Sequence, residues 1–345
     1  NTAIGRLNHV TEGLASEIYV KLELLNPAGS MKDRVGLNII RDAEERGMLQ
    51  PGGTIVEATS GNTGAGLAMV AAIRGYKCIF VMPDKMSAEK VANLRSLGAK
   101  VVLCPTAVDA EDPRSYYSVT KRLVAETPNS FHANQYHNPA NPEAHYLSTG
   151  PEIWEQTNGE MDAFVAGMGT GGTISGCGKY FKEKNPNVKL VGVDPIGSIY
   201  YELKKTGRMT RPFAYSVEGI GEDFLPSTMN LDYVDEIVRV DDKECFQLTR
   251  ALVRQEGVMC GGSCGAAVAG ADGGGAAVVG DDGIGALFKG QHDVHAEAMF
   301  AAGAFLRRTH NAIGPAGDGH VPFFHHSPGE LKRQLIVRVV RRCAG

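Results

Sequence analysis

The stretch T54-I-V-E-A-T-S-G-N-T-G64 decides the fold. T54-I-V-E-A58 reads as a strand, the small residues after it as a loop, and G64–R74 as a helix. A short apolar strand that runs through a small-residue loop into a helix is the building unit of a parallel sheet covered on both faces. The same order recurs outward. Residues 33–46 predict a helix ending at Gly47, followed by the turn P51-G-G. K77-C-I-F-V-M82 predicts a strand, S87–L97 a helix and A99-K-V-V-L103 a strand. Further on, D162-A-F-V-A166, G172–K184 and V188-K-L-V-G-V193 repeat strand, helix, strand. An α/β fold with two such sheets follows, without an internal repeat.

Bulk composition narrows the function classes. The chain has 345 residues, 21% of them charged, and a net charge of −4, which suits a globular enzyme with a sizeable core. No basic stripe marks the first 270 residues, so nucleic acid is not an expected partner. No apolar run approaches the ~20 residues that span a bilayer. The opening N1-T-A-I-G-R lacks the charged-then-apolar pattern of an export signal, and a cytoplasmic location is expected. Seven cysteines (78, 104, 177, 245, 260, 264 and 343) show no repeating spacing and read as reduced thiols. C260-G-G-S-C264 has no second pair at zinc spacing, so no metal site is expected.

Three elements carry chemistry. The loop 59–63 offers backbone amides at a helix start, with hydroxyl and amide partners on Thr59, Ser60, Asn62 and Thr63. It would hold a carboxylate or phosphate by dipoles alone; a plain helix-entry turn is the alternative. A166-G-M-G-T-G-G-T173 is a second such cradle. Its Gly167, Gly169 and Gly172 also fit G-x-G-x-x-G, with Asp194 ending the next strand as in a dinucleotide site. That dehydrogenase reading leaves N26-P-A-G-S-M-K-D-R and the first loop unexplained. One phosphate grip, one carboxylate grip and a lysine at a helix start suit pyridoxal phosphate chemistry on an amino acid. Lys32 is that lysine, and a helix N-terminus disfavours its charged form.

N26-P-A-G-S-M-K-D-R, T59-S-G-N-T-G, G169-T-G-G-T and E218-G-I-G together resemble the fold-type II pyridoxal phosphate enzymes of the cysteine synthase and cystathionine β-synthase family, over residues 1 to about 268. V81-M-P-D-K-M-S-A-E-K, A133-N-Q-Y, N138-P-A-N-P-E-A-H-Y and V217-E-G-I-G-E-D-F are more similar to the cystathionine β-synthase branch. The resemblance implies two open parallel-sheet α/β domains with the cofactor in the cleft between them. Residues 1–36 with 151–290 would form the larger, cofactor-binding domain, and 37–150 the smaller one with the carboxylate loop; 291–345 form an atypical tail.

Lys32 would be the Schiff-base lysine, Asn62 would bond the cofactor's 3′-oxygen, and Gly169, Thr170, Gly171, Gly172 and Thr173 would hold its phosphate. Thr59, Ser60, Gly61 and Thr63, with Gln135, would take the substrate carboxylate. Tyr136, Gly219 and Gly221 would line the second-substrate side. The implied reaction is a hydro-lyase-type β-replacement of L-serine by L-homocysteine through an aminoacrylate, giving cystathionine. A cysteine synthase using sulfide with serine or O-acetylserine is the alternative within the class.

Four departures qualify the match. N1-T-A-I replaces the family's N-T-P-L, which loosens a turn and touches no chemistry. No Cys- and His-bearing extension precedes Asn1, so haem is not expected; no tandem regulatory domains follow, so control by S-adenosylmethionine is not expected either. A homodimer is expected. The last departure is A277-V-V-G-D-D-G-I-G285, where the family has P-D-S-G. Either Asp282 takes the place of the serine that meets the pyridine nitrogen, or the family sequence ends near residue 270. In the second case the six histidines of the last 55 residues carry no meaning, and the chain could be a cofactor-binding protein with impaired turnover.

Overall fold

The computed structural model describes residues 1–14, 16–108, 112–274, 278–280 and 284–289, side chains only up to 271. Asp282 and the 291–345 tail lie outside the described residues.

The chain opens with an antiparallel pair, β1 (Ile4–Arg6) and β2 (Glu17–Lys21). Helix α1 (Lys32–Glu45) follows and ends one residue before the expected limit, with Gly47 in the left-handed region at φ 67°. Next come β3 (Thr54–Ala58), α2 (Asn62–Arg74), β4 (Lys77–Pro83), α3 (Ala88–Ser96), β5 (Lys100–Cys104), α4 (Tyr116–Glu126) and β6 (Ser130–His132). The four strands form one parallel sheet in the order β5-β4-β3-β6. All five residues of β3 are buried, as a central strand covered on both faces requires. Helix α2 starts two residues before the expected Gly64, so Asn62 and Thr63 form its first turn rather than the loop.

Helix α5 (Ala140–Ala144) passes through a π-turn at His145–Thr149 into α6 (Gly150–Gln156). Then β7 (Ala163–Gly167), α7 (Gly172–Lys184), β8 (Lys189–Pro195), α8 (Tyr200–Thr206), β9 (Glu236–Val240), α9 (Asp242–Ala251), α10 (Gly262–Gly274), β10 (Val278–Gly280) and β11 (Ile284–Lys289) complete the second sheet. Its order is β1-β2-β11-β10-β7-β8-β9. The sheet is parallel from β10 through β7 and β8 to β9, but β1, β2 and β11 run antiparallel. Only three residues separate β10 from β11 in the sequence, too few for a parallel crossover. The second sheet is therefore mixed, where alternating strands and helices predicted parallel pairing.

Each sheet has its own apolar cluster. Phe164, Phe181, Leu190 and Tyr200 pack around the larger sheet, and Ile39, Ile55, Leu67 and Phe80 around the smaller. Where Pro is missing at residue 3, the backbone still closes: Leu22 N donates to Ala3 O at 2.9 Å. Behind it, the fully buried Lys21 Nζ donates to Thr2 O, Glu152 Oε2 and Gln156 Oε1 at 2.7–2.8 Å. Arg34 forks onto both Glu23 and Glu152. This buried network ties α1, two residues past Lys32, to β2 and α6.

Candidate active site

Lys32 is the first residue of α1 and is 4% exposed. Its placement follows from a glycine contact between α1 and α2. A Cβ on Gly66 would lie 2.4 Å from Lys32 O, and one on Gly36 would lie 2.6 Å from Gly66 C. Only glycine permits that approach. It seats the backbone of Lys32 against the helix that begins at the first small-residue loop. On the other side, Thr173 Oγ1 donates to Met31 Sδ at 3.0 Å, so the second loop touches the residue preceding Lys32. The lysine thus stands between the two loops.

The first loop is internally braced. Thr59 Oγ1 accepts from Gly61 N at 3.0 Å and Gly64 N at 3.2 Å, and Gly61 takes φ 138°. Thr63 Oγ1 donates to Gln135 Oε1 at 2.6 Å, joining two residues that the sequence separates by 72 positions. Ser60 stays exposed, while Asn62 is half-buried at the helix start.

Beneath Gln135 lies Glu57, 1% exposed, accepting from Asn134 N at 2.5 Å and Gln135 N at 3.2 Å. Burial pushes its carboxyl up to about 8, against the pull of those two amides. Sequence reasoning gave Glu57 no role; an acid inside an otherwise apolar strand was the available signal.

The glycines of the second loop have no space for a side chain. A Cβ at Gly172 would fall 2.0 Å from Asn141 Oδ1, one at Gly171 2.6 Å from Met229, and one at Gly169 2.8 Å from Gly219 O. Thr170 Oγ1 accepts from Asn141 Nδ2 at 3.0 Å and from Gly172 N at 3.3 Å. Behind Thr173, the His145 ring meets Thr173 Oγ1 at 3.3 Å and Thr149 Oγ1 at 2.9 Å. Burial, then the charges of Lys32 and Arg34, drive His145 well below the usual imidazole range, so it is neutral. Asn141 is 1% exposed and its Oδ1 has no hydrogen-bond partner.

Asp194 does not act as a dinucleotide's ribose ligand would. It is fully buried, Oδ2 accepts from Tyr201 N at 2.9 Å, and burial lifts its carboxyl to about 6. The carboxylate caps the start of α8, which removes the dehydrogenase reading.

Between the two sheets' loops opens a cleft of about 590 Å³, lined by the 59–63 loop, Gln135, Tyr136, Thr170 and residues 212–223. Gly219 and Gly221 adopt φ 86° and 77°, and Gly221 N donates to Met168 O at 2.6 Å, fixing this stretch to the end of β7. Tyr136 packs edge-on against Phe224 with centroids 5.2 Å apart. Lys90 reaches across the mouth to ion-pair with Glu218, and Lys85 lines the same wall. The structure thus gathers Thr59, Ser60, Gly61, Asn62, Thr63, Gln135, Tyr136, Thr170, Gly219 and Gly221 on one cleft. Lys32 and Thr173 are buried and are not among the residues that line it. Glu222, which sequence reasoning passed over, also lines it.

A profile described as "Pyridoxal-phosphate dependent enzyme" matches residues 1–290. The chain belongs to that family. The match continues through β10 and β11, so family sequence runs past residue 270 rather than ending there. The chain is 50% identical over 277 residues to a cystathionine beta-synthase of Apis mellifera, covering 78% of this chain and 55% of that protein. It is 49% identical over 271 residues to the cystathionine beta-synthase of Oryctolagus cuniculus, covering 78% and 49%. The chain spans about half the length of the curated relatives it matches. A solved hydrogen sulfide-producing enzyme of Fusobacterium nucleatum superposes with a TM-score of 0.71 at 36% identity, over 77% of this chain and 86% of that one. These likenesses establish the fold-type II α/β architecture.

The residues present fit the family's cofactor. Gly169–Thr173 form a cradle whose glycines cannot carry a Cβ, at the N-terminus of the 13-residue α7, where backbone amides favour a phosphate. The buried Lys32 follows Met31, which Thr173 of the cradle touches.

Proposed function

We propose that this enzyme carries out a pyridoxal phosphate-dependent β-replacement that condenses L-serine with L-homocysteine to cystathionine and water. The observation that carries the reading is the seat of Lys32. It is a lysine buried between a helix-start cradle on one side and a hydroxyl- and amide-rich loop on the other.

Pyridoxal phosphate, when bound, supplies the electron sink for the substrate's α-carbon. Lys32 would hold the cofactor and move the α-proton at its Nζ. Gly169, Thr170, Gly171, Gly172 and Thr173 would grip the phosphate with backbone amides and hydroxyls, and Asn62 would bond the ring's 3′-oxygen. Thr59, Ser60, Gly61, Thr63 and Gln135 would orient the serine carboxylate. Tyr136, Gly219 and Gly221 would shape the side on which the thiol arrives.

Small amino acids suit a cleft of this volume, and among the described residues no helix is long and apolar enough to cross a membrane. A homodimer in the cytoplasm belongs to the same proposal. A second reading, with sulfide taken up or released, draws support from the likeness to the Fusobacterium sulfide-producing enzyme.

The test is the visible absorption spectrum of the cofactor-loaded protein beside Lys32→Ala. The parent should show a bound-cofactor band that shifts with L-serine and returns when L-homocysteine is added. Lys32→Ala should lack the band. A parent that takes up no cofactor would refute the reading, and a band that sulfide restores but homocysteine does not would favour the second one.

A further inference from the structure

Three carboxylates line the described cleft: Glu218, Glu222 and Asp223. Two of them are poorly suited to proton transfer deep in the cleft. Glu218 is paired with Lys90 at the mouth, and Asp223 is exposed to solvent. Glu222 differs in every respect. Its backbone is held at both ends of the peptide unit: its N–H donates to Ser198 Oγ at 3.0 Å and its carbonyl accepts from Ile199 N at 3.2 Å. The preceding Gly221 is anchored to Met168. From this fixed point the half-buried side chain lines the same cleft as Tyr136 and lies within reach of the charge of Lys32.

We infer that Glu222 is the group that accepts the proton of the incoming thiol, an assignment that rests on the β-replacement reading above. The thiol S–H bond breaks, the proton goes to the Glu222 carboxylate, and the electron pair stays on sulfur to form the new C–S bond. The α-proton that Lys32 removes from serine leaves with its hydroxyl as water. The thiol's proton, passed from Glu222 toward Lys32, then replaces it on the α-carbon. Serine and thiol in, thioether and water out, the protons balance.

The electrostatics around the carboxyl suit this task. Burial, then the neighbouring charge of Asp223, push Glu222 up to about 8, while Tyr136 and the charge of Lys32 pull the other way. Among the described residues, the remaining titratable groups that sense it are phenols: Tyr116 and Tyr117 from α4, Tyr200 from α8, and Tyr215. Burial, and in part the Glu222 charge, hold all four above the usual phenol range, so they stay neutral near pH 8. An ordinary thiol ionises near ~8.5, so donor and acceptor are closely matched, the condition under which a base is most effective. A carboxyl at the usual value near ~4.3 would be too weak a base.

The test compares the cofactor-loaded parent with E222Q and E222D. Four quantities are read: the spectral response to L-serine, kcat/KM for L-homocysteine against pH, homocysteine affinity by calorimetry, and the protonated-carboxyl band in infrared difference spectra. In the parent, kcat/KM for homocysteine should fall as pH drops through about 8, with the infrared band rising over the same range. E222Q should respond to serine as the parent does and lose about 10²-fold in kcat/KM for the thiol. It should also lose the pH limb and the band, and E222D should restore part of the rate.

A thiol rate and pH profile unchanged in E222Q would overturn the inference. So would a defect confined to the serine step, which would make Glu222 a partner of Lys32 alone. A parent without any serine response refutes the functional reading instead. In that case, equal homocysteine affinity and pH dependence in parent and E222Q would refute this assignment as well.

Discussion

Replacing Gly66 with alanine tests whether the glycine contact between α1 and α2 seats Lys32. The residue lies in the middle of α2, where helix propensity alone predicts that alanine stabilises by about 0.8–1 kcal/mol. The close approach predicts the reverse. The new Cβ would sit 2.4 Å from Lys32 O, 2.8 Å from Lys32 C and 3.0 Å from Asp33 N, whereas ordinary contacts begin at 3.4 Å. The obstacle is backbone, not a flexible side-chain end, so α1 must retreat by about 1 Å or the two helices must part. Overpacking of this kind costs about 1–3 kcal/mol, and a contact against backbone belongs at the upper end. After the propensity gain, a net loss of about 2 kcal/mol remains.

The functional effect should exceed the stability effect, because a misplacement of about 1 Å in a reacting group costs about 10²-fold. Denaturant unfolding measures the first and the bound-cofactor absorption band the second. Gly5→Ala is the control: its Cβ would meet only Leu22 Cδ1 at 3.8 Å and Val20 Cγ2 at 4.0 Å, with an expected change within about 0.5 kcal/mol. A Gly66→Ala protein as stable as the parent, with its cofactor band intact, would refute the argument.

Acid should attack the buried network at Glu152. Burial alone would raise that carboxyl, but the hydrogen bonds and charges of Arg34 and Lys21 prevail and hold it at about 2 instead of 4.5. Because the folded-state value is depressed, its stabilisation is complete above about 4.5 and is lost as pH falls toward 2. At about 1.4 kcal/mol per unit, that loss is about 3 kcal/mol. Glu152→Gln should be less stable at neutral pH, since it leaves the fully buried Lys21 without its counter-charge, and should show a flatter decline on acidification. Urea unfolding at a series of pH values measures both. Cysteine alkylation provides a further check. Burial pushes the Cys78 and Cys245 thiols up to about 12 and raises Cys104 and Cys177, and Cys264 is fully buried. Among the described cysteines only Cys260 is half-exposed, so peptide mapping after brief iodoacetamide treatment should find it modified first.

The sequence alone determined what short-range physics controls. Strand β3, helix α7 and the loops that join strands to helices stand within two residues of their expected limits, because apolar runs and glycine stops act locally. The residue types that suit a phosphate cradle and a cofactor lysine were equally legible, since their spacing is fixed by the loop that carries them. What the sequence could not show is which residues meet across long separations. Thr63 and Gln135, or Glu57 and the 134–135 amides, find each other only when β3 and β6 pair in one sheet.

Asp194 marks the same limit from the other side. Its spacing fitted a nucleotide ligand, and only the tertiary structure turned its carboxylate inward to cap α8. Glu222 is the clearest case. As one acid in E218-G-I-G-E-D it has no distinguishing pattern. Its burial and the influence of Tyr136 and Lys32 on its charge arise from three segments converging on one cleft. Local sequence chooses the chemical groups, but desolvation and Coulomb interaction depend on distances that exist only after the chain has folded.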